Sequence, residues 1–258
     1  MEAAFFDLDK TLLPGAALVP LAQEMYRQRL FTLGTIIRVG ADQLLYRVSG
    51  AEDEELMERA KDLTLGSVRG KTPQEIRALA EGVAREEIIP RFYPQAVELL
   101  SRHKRAGREV YISSSSPQDF LALLAEELDI DGVIGTRAAV ENGRYTGELE
   151  GPMCHGPEKA RRVAELAAER GIDLAKSFAY TDSLNDLPML EMVGTPVAVN
   201  PDRRLLQMAR RRGWEVLDYR NARRRTLVAS AAGGVAAGAA AGGYALGYLV
   251  GRRRAARA

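Results

Sequence analysis

Apolar and polar residues are grouped in blocks along this chain. Short apolar runs at Ala3–Phe6, 110–112, 178–180, 196–199 and 214–217 are too brief for helices, and the first is continuous enough for a strand buried on both faces. Between them the apolar positions recur three and four apart, which predicts helices over 120–128, 159–170 and Arg203–Arg212. Residues 18–30, 36–48, 54–65 and 73–88 show the same periodicity with almost no strand character between them. Strand and helix alternating predicts an α/β fold, a Rossmann-like parallel sheet flanked by helices. The helical stretch between the first and second strands is an insertion, with Arg91, Phe92 and Tyr93 before Pro94 marking the return to the sheet. A hairpin is predicted between residues 137 and 149, where Asn142-Gly143 supplies the turn signal; it either borders the site or is a surface ornament. Asn200-Pro201-Asp202 reads as the turn into the last helix.

Polar residues sit where the strands end. Ala3–Phe6 runs into Asp7, Leu8, Asp9, Lys10 and Thr11; the second run ends in Ser113 to Ser116, and the third in Thr181, Asp182, Ser183, Leu184, Asn185 and Asp186. In a parallel sheet these endings fall along one edge, where open α/β sheets place their ligand crevices. Asp7 and Asp9, two apart on extended backbone, point the same way. Their mutual repulsion calls for a shared proton or a cation, and hard oxygen donors suit Mg2+. Taken singly, Ser114 also reads as a helix cap, Lys159 as a solvated lysine, and Asp182 and Asp186 as acids at a helix start.

The ordered set resembles the haloacid dehalogenase-like hydrolases, and within them the phosphoserine phosphatase-like subfamily. The resemblance is carried by Asp7, Asp9 and Thr11 as the first motif and by Ser114, with Ser113 as the alternative, as the second. Lys159 in Gly156-Pro157-Glu158-Lys159 stands for the third, and Asp182 with Asp186 for the fourth; together they span about the first 220 residues. It implies an Mg2+-dependent phosphatase acting on a small-molecule or lipid-headgroup phosphate monoester. Asp7 would be the nucleophile and Asp9 the acid and then the base; Ser114, Lys159 and Thr11 would bind the phosphoryl group. Asp7, Asp182 and the Asp9 main-chain carbonyl would hold the metal, with Asp186 and Asn185 behind it orienting a metal-bound water or Lys159. Residues 1–15 and 95–220 would form the catalytic core, and 16–94 the helical cap that closes over the pocket. The phosphoserine-specific pattern carries a glutamate shortly after the first motif; Leu13, Pro14, Gly15, Ala16, Ala17 and Leu18 include no acid, which points away from a leaving group bearing an ammonium. Two rivals remain: a phospho-acceptor signalling domain, and a membrane-tethered binding protein without catalysis.

Composition narrows this further. A chain of 258 residues can bury a full core, and a net charge of +1 gives no global field that would demand nucleic acid. Cys154 is the only cysteine, so no internal disulfide forms and a reducing compartment suits the chain; with His155 it makes half a metal site at best, and a structural role fits both. Asp7, Asp9 and Lys10 interrupt the first apolar run too early for a secretory signal, so the catalytic part is expected in the cytoplasm. Residues 221–258 differ in kind. Between Arg223-Arg224-Arg225 and Arg252-Arg253-Arg254, residues 226–251 carry no charge and are dominated by alanine and glycine. That length can cross a bilayer as a hydrophobic helix, and glycines four apart at 234, 238 and 242 offer a stripe for homo-oligomer packing. The tail is read as a cell-membrane anchor for a cytoplasmic enzyme, with a flexible Ala/Gly tail on a cytoplasmic protein as the alternative.

Overall fold

The computed structural model describes residues 1–29 and 65–220. Within residues 1–217, which form one compact unit, six strands make a sheet of order β3-β2-β1-β6-β7-β8: β1 Ala3–Phe6, β2 Glu109–Pro117, β3 Gly132–Thr136, β6 Phe178–Thr181, β7 Thr195–Val199 and β8 Glu215–Leu217. Every pairing in it is parallel, as the block pattern predicts. The chain leaves β1 toward β2 and β3, then returns to the other side of β1 with β6, so the direction of strand addition reverses beside β1. Such a switch point opens a crevice at the carboxyl ends of the strands.

Both faces of the sheet are covered. One carries Phe5, Tyr111, Ala179 and Ala198, packed with Val163 and Ala167 of α5 (Pro157–Arg170), Met189 and Leu190 of α6 (Leu187–Glu191), and Leu205 and Ala209 of α7 (Arg203–Arg212). On the other, Phe6 stacks on Tyr180 with ring centroids 4.3 Å apart, and His103 of α3 (Pro94–Arg105) meets both rings edge-on. Pro157 at the first turn and left-handed Gly171 just past the end bound α5. Asp202 caps α7 by accepting from the Leu205 N–H.

Some boundaries shift. The second strand continues through the serines to Pro117, because the backbone goes on pairing with β3 past a register slip between Ser113 and Pro117; the expected stop after residue 112 marked a change of side chain, not of backbone. The helix expected over 18–30 is α1, Leu18–Arg27, and is followed by Arg29 at φ 59°. That expected over 73–88 is α2, Pro73–Val83, opened by a Thr72/Glu75 capping box and continued by a wider turn over Ala84–Ile88. Helix α4 (Gln118–Glu127) follows β2 directly. The hairpin is present as β4 (Ala138–Glu141) and β5 (Arg144–Leu149), joined by Asn142 and Gly143 at φ 50° and 75°. The helices expected over 36–48 and 54–65 fall almost wholly outside the described residues, as does the hydrophobic segment 226–251. Among the described residues no helix is long and apolar enough to cross a membrane. Residues 218–258 form a second unit, in which the Arg220 guanidinium bonds the Asp218 carboxylate.

Candidate active site

The ends of β1 and β6 deliver the acids into the crevice. Phe6 is level with Ile112 on one side and Tyr180 on the other, so Asp7 follows level with Ser113 and Thr181. Its own N–H donates to the Tyr180 carbonyl across 2.8 Å. From the first turn of α5, Lys159 reaches the strand ends and donates to Asp7 Oδ1 and to Asp186 Oδ2, both at 2.8 Å. Thr181 Oγ1 donates to the same Asp186 oxygen across 2.7 Å. Lys159, Asp186 and Asp7 are 3%, 3% and 8% exposed, so this is an interior ion network rather than a surface one.

Burial governs its electrostatics. It raises the Asp7 carboxyl above its ordinary value, against the Lys159 ammonium that favours the charged form. Burial alone would lower Lys159, but the Asp7 and Asp186 carboxylates more than reverse this and keep it protonated. Asp182 is pushed up to about 7 by burial and then by the negative charge of Asp7, with Lys10 opposing from 3.8 Å. Burial lifts Asp9 to about 6, although its Oδ1 accepts from the Ala17 N–H at 2.9 Å. That bond ties the Asp9 carboxyl to the start of α1, so its side chain and the entrance to the inserted helices are fixed together.

Ser113, Ser114 and Thr11 are buried beside these loops. Ser114 Oγ accepts from the Ser116 N–H across 3.2 Å, which leaves its proton free to donate. The Ser113 and Thr11 hydroxyls are buried with no partner among the described residues. Asn185 joins the Asp182–Asp186 turn through its backbone, whose N–H donates to Ser183 Oγ, and its side chain makes no hydrogen bond to Lys159 or Asp186. Thr181 was not singled out by sequence reasoning; its position just before Asp182 at a strand end was the available signal. Lys10, held at φ 60° beside Asp182, was also passed over. Cys154 is fully buried and its thiol is pushed up to about 11 by burial, which suits a packing role.

The donor set suits a hard divalent cation. All the groups here that can ligate are oxygens, and Asp7 and Asp182 are carboxylates whose charged forms are disfavoured by burial and then by neighbouring negative charge, that of Asp186 on Asp7 and that of Asp7 on Asp182. No group of three or more His, Cys, Asp or Glu side chains able to hold an ion occurs among the described residues, and the Asp9 carboxylate is engaged by Ala17. Two carboxylates, a main-chain carbonyl and waters make a donor set typical of Mg2+.

Comparison with known proteins gives the family and the fold. The family model described as haloacid dehalogenase-like hydrolase matches residues 4–191. The chain is 36% identical over 239 residues to phosphoserine phosphatase SerB1 of Mycobacterium tuberculosis, covering 90% of this chain and 78% of that protein. A crystal structure of a protein with unknown function from Bordetella pertussis superposes with a TM-score of 0.74 at 31% identity, over 84% of this chain and 98% of that one. A phospho-aspartyl intermediate analogue of phosphoserine phosphatase shares the fold with a TM-score of 0.59 at 19% identity, covering 85% of this chain and 93% of its own.

Proposed function

The chain belongs to the haloacid dehalogenase-like hydrolase family and is a phosphoric monoester hydrolase, and from that premise we propose that it cleaves small phosphate monoesters in two steps through an aspartyl-phosphate on Asp7. The observation that carries this reading is the buried Lys159 ammonium 2.8 Å from Asp7 and from Asp186 at the switch point of the sheet. A phosphate monoester is already anionic, so catalysis depends chiefly on alignment and charge neutralisation.

An Asp7 carboxylate oxygen attacks phosphorus, and the bond from phosphorus to the leaving oxygen breaks. Asp9 gives its proton to the departing alcohol, then takes one from the water that attacks the aspartyl-phosphate; a carboxyl poised at about 6 suits both transfers near neutral pH. Lys159 offsets the charge that Asp7 and the phosphoryl oxygens bring together, while Asp186, braced by Thr181, holds the ammonium in place. Ser114 donates to a phosphoryl oxygen, as do the Thr11 hydroxyl and, at the alternative position, that of Ser113. Mg2+, held by Asp7, Asp182 and the Asp9 carbonyl, would supply charge neutralisation between nucleophile and phosphate.

The inserted helices, residues 16–94, act in this reading as a cap that selects the leaving group and excludes water. Because the turn from Leu13 to Leu18 carries no acid, the preferred leaving group lacks an ammonium. SerB1 is named for phosphoserine, which makes that compound the informative comparison. We further infer that residues 226–251 tether the enzyme to the cell membrane, supported by their uncharged length between two arginine triplets. Lipid-headgroup phosphates therefore belong among the substrates tried.

The test is phosphate release from a broad monoester panel by wild type and Asp7→Asn, before and after chelation of divalent ions. Release that disappears in Asp7→Asn and after chelation, and returns with Mg2+, is expected. An active Asp7→Asn protein would overturn the mechanism, and phosphoserine as the fastest substrate would overturn the leaving-group assignment.

A further inference from the structure

The loop after β7 braces both acid-bearing turns while contributing no acid to the reaction. The Asn200 side-chain amide donates to the Lys10 carbonyl across 2.7 Å. Two residues on, the Asp202 N–H donates to the Asp182 carbonyl across 2.8 Å, and Asp202 Oδ2 accepts from the Leu184 N–H at 3.4 Å. The loop is itself fixed. The Asn200 N–H donates to Leu217 of β8 across 2.7 Å, and Asp202 Oδ1 caps α7 by accepting from Leu205 at 2.7 Å. A single short connection thus spans from β8 and α7 to the turns that carry Asp9 and Asp182.

Its contact with Lys10 is the more telling one. Lys10 lies between Asp9 and Thr11 at φ 60°, a region that lysine has no intrinsic reason to occupy. Such a residue persists only where its surroundings impose it. Here its N–H donates to the Gly15 carbonyl across 3.1 Å, while its own carbonyl is held by Asn200. Asn200 is 3% exposed and also left-handed, at φ 47°, which asparagine tolerates better than most residues. An aspartate there would keep the shape but set a carboxylate oxygen against the Lys10 carbonyl.

We propose that Asn200 is a positioning residue for the phosphatase reaction: its amide fixes the left-handed turn at Lys10, and that turn sets Asp9 and Thr11 against Asp7. The proposal rests on the phosphatase reading above. It acts through backbone geometry: the Asn200 amide bonds the Lys10 main chain, not a reacting side chain. Misplacing an acid by a fraction of an ångström lowers turnover more than it lowers ground-state binding.

Asn200→Asp and Asn200→Gly separate the two properties of this residue, since glycine keeps the left-handed backbone and loses the amide. Asn142→Gly, at φ 50° in the hairpin turn, is the matched control. Both Asn200 variants are expected to unfold cooperatively, to lose about 10- to 100-fold in kcat with little change in KM, and to exchange the Lys10 and Leu12 amide protons faster than wild type. Asn142→Gly should match wild type in all three. Wild-type kcat in Asn200→Gly would overturn the proposal, showing that only the backbone conformation matters. If Asn200→Asp fails to fold, Asn200→Gly decides alone. If wild type releases no phosphate from any monoester, the phosphatase reading fails, and unchanged amide exchange at Lys10 and Leu12 in the glycine variant would separately overturn the brace.

Discussion

Lys159 occupies a position that few lysines tolerate, 3% exposed and bonded to two carboxylates. An ammonium without partners there would lose its charge, and carboxylates without it would face each other across a dry interior. Lys159→Met is therefore expected to reduce phosphate release by at least about 100-fold and to destabilise the fold by about 3 kcal/mol, read from turnover and from urea unfolding. Retained activity would remove Lys159 from the mechanism. His103 makes a second prediction on the opposite face of the sheet. It is buried against Phe6, Phe178 and Tyr180, and burial, followed by Arg108 and Arg102, holds its imidazole down to about 4 from 6.5. The unfolded chain then binds more protons than the native one between those values. The His103 contribution to stability should be complete above about pH 6.5 and be lost as pH drops toward 4, by about 2 kcal/mol. Because Asp9 and Asp182 also titrate in this range, the test is the difference between wild type and His103→Gln: unfolding curves should show wild type gaining more stability relative to the variant at pH 7 than at pH 5. Asp7, Lys159 and Asp186, which the structure brings together, were legible only as members of an ordered set of motifs, since each taken singly has an ordinary structural reading. Thr181 and Asn200 were not, since a hydroxyl at a strand end and an asparagine in a turn are ordinary until the chain brings them beside Asp186 and Lys10.

At the scale of elements, the alternation of apolar runs announced the strands, and Asn142-Gly143 announced the hairpin. What the hairpin does depends on contacts that no local pattern encodes. Its Tyr145 carbonyl accepts from the Gly70 N–H at 2.8 Å, its N–H donates to the Lys71 carbonyl at 2.9 Å, and its hydroxyl donates to Asp119 of α4 at 2.6 Å. The inserted segment is thereby stitched to the hairpin, and it is further tied to α4 by Arg77 of α2 with Glu126 and by Arg85, in the wider turn after α2, with Glu127. The exposed ion pairs contribute little singly; the half-buried tyrosine bond contributes more. Tyr145→Phe should cost about 1 kcal/mol and speed amide exchange around residues 70–71 and 144–146 while leaving β1 and β6 protected. Uniform exchange across the sheet, or none, would show that the hairpin does not hold the inserted segment. The strand through the serines was misjudged for a related reason: backbone pairing with β3 outlasts the apolar side chains that signal it.

For the molecule as a whole, the order β3-β2-β1-β6-β7-β8 explains why residues as distant as Asp7, Ser114, Lys159 and Asp186 can share one crevice. The parallel arrangement sends every strand's carboxyl end to the same edge, and the reversal beside β1 opens the gap between them. Each residue assigned a role in turnover lies within residues 1–217, one of the two units into which the chain divides. The change of composition after residue 220 was visible in sequence because charge vanishes between the two arginine triplets. If residues 226–251 form the proposed tether, catalysis and attachment are separable. A protein ending at Arg220 should hydrolyse a soluble monoester with the kcat and KM of the full chain, since every residue assigned a role in turnover is kept. The same truncation should move the protein from the membrane pellet to the soluble fraction and abolish any advantage of a vesicle-borne phosphate over its water-soluble headgroup. A full-length protein already soluble without detergent would refute the tether, whereas a truncated one that folds but has lost turnover would show that residues 221–258 take part in the chemistry.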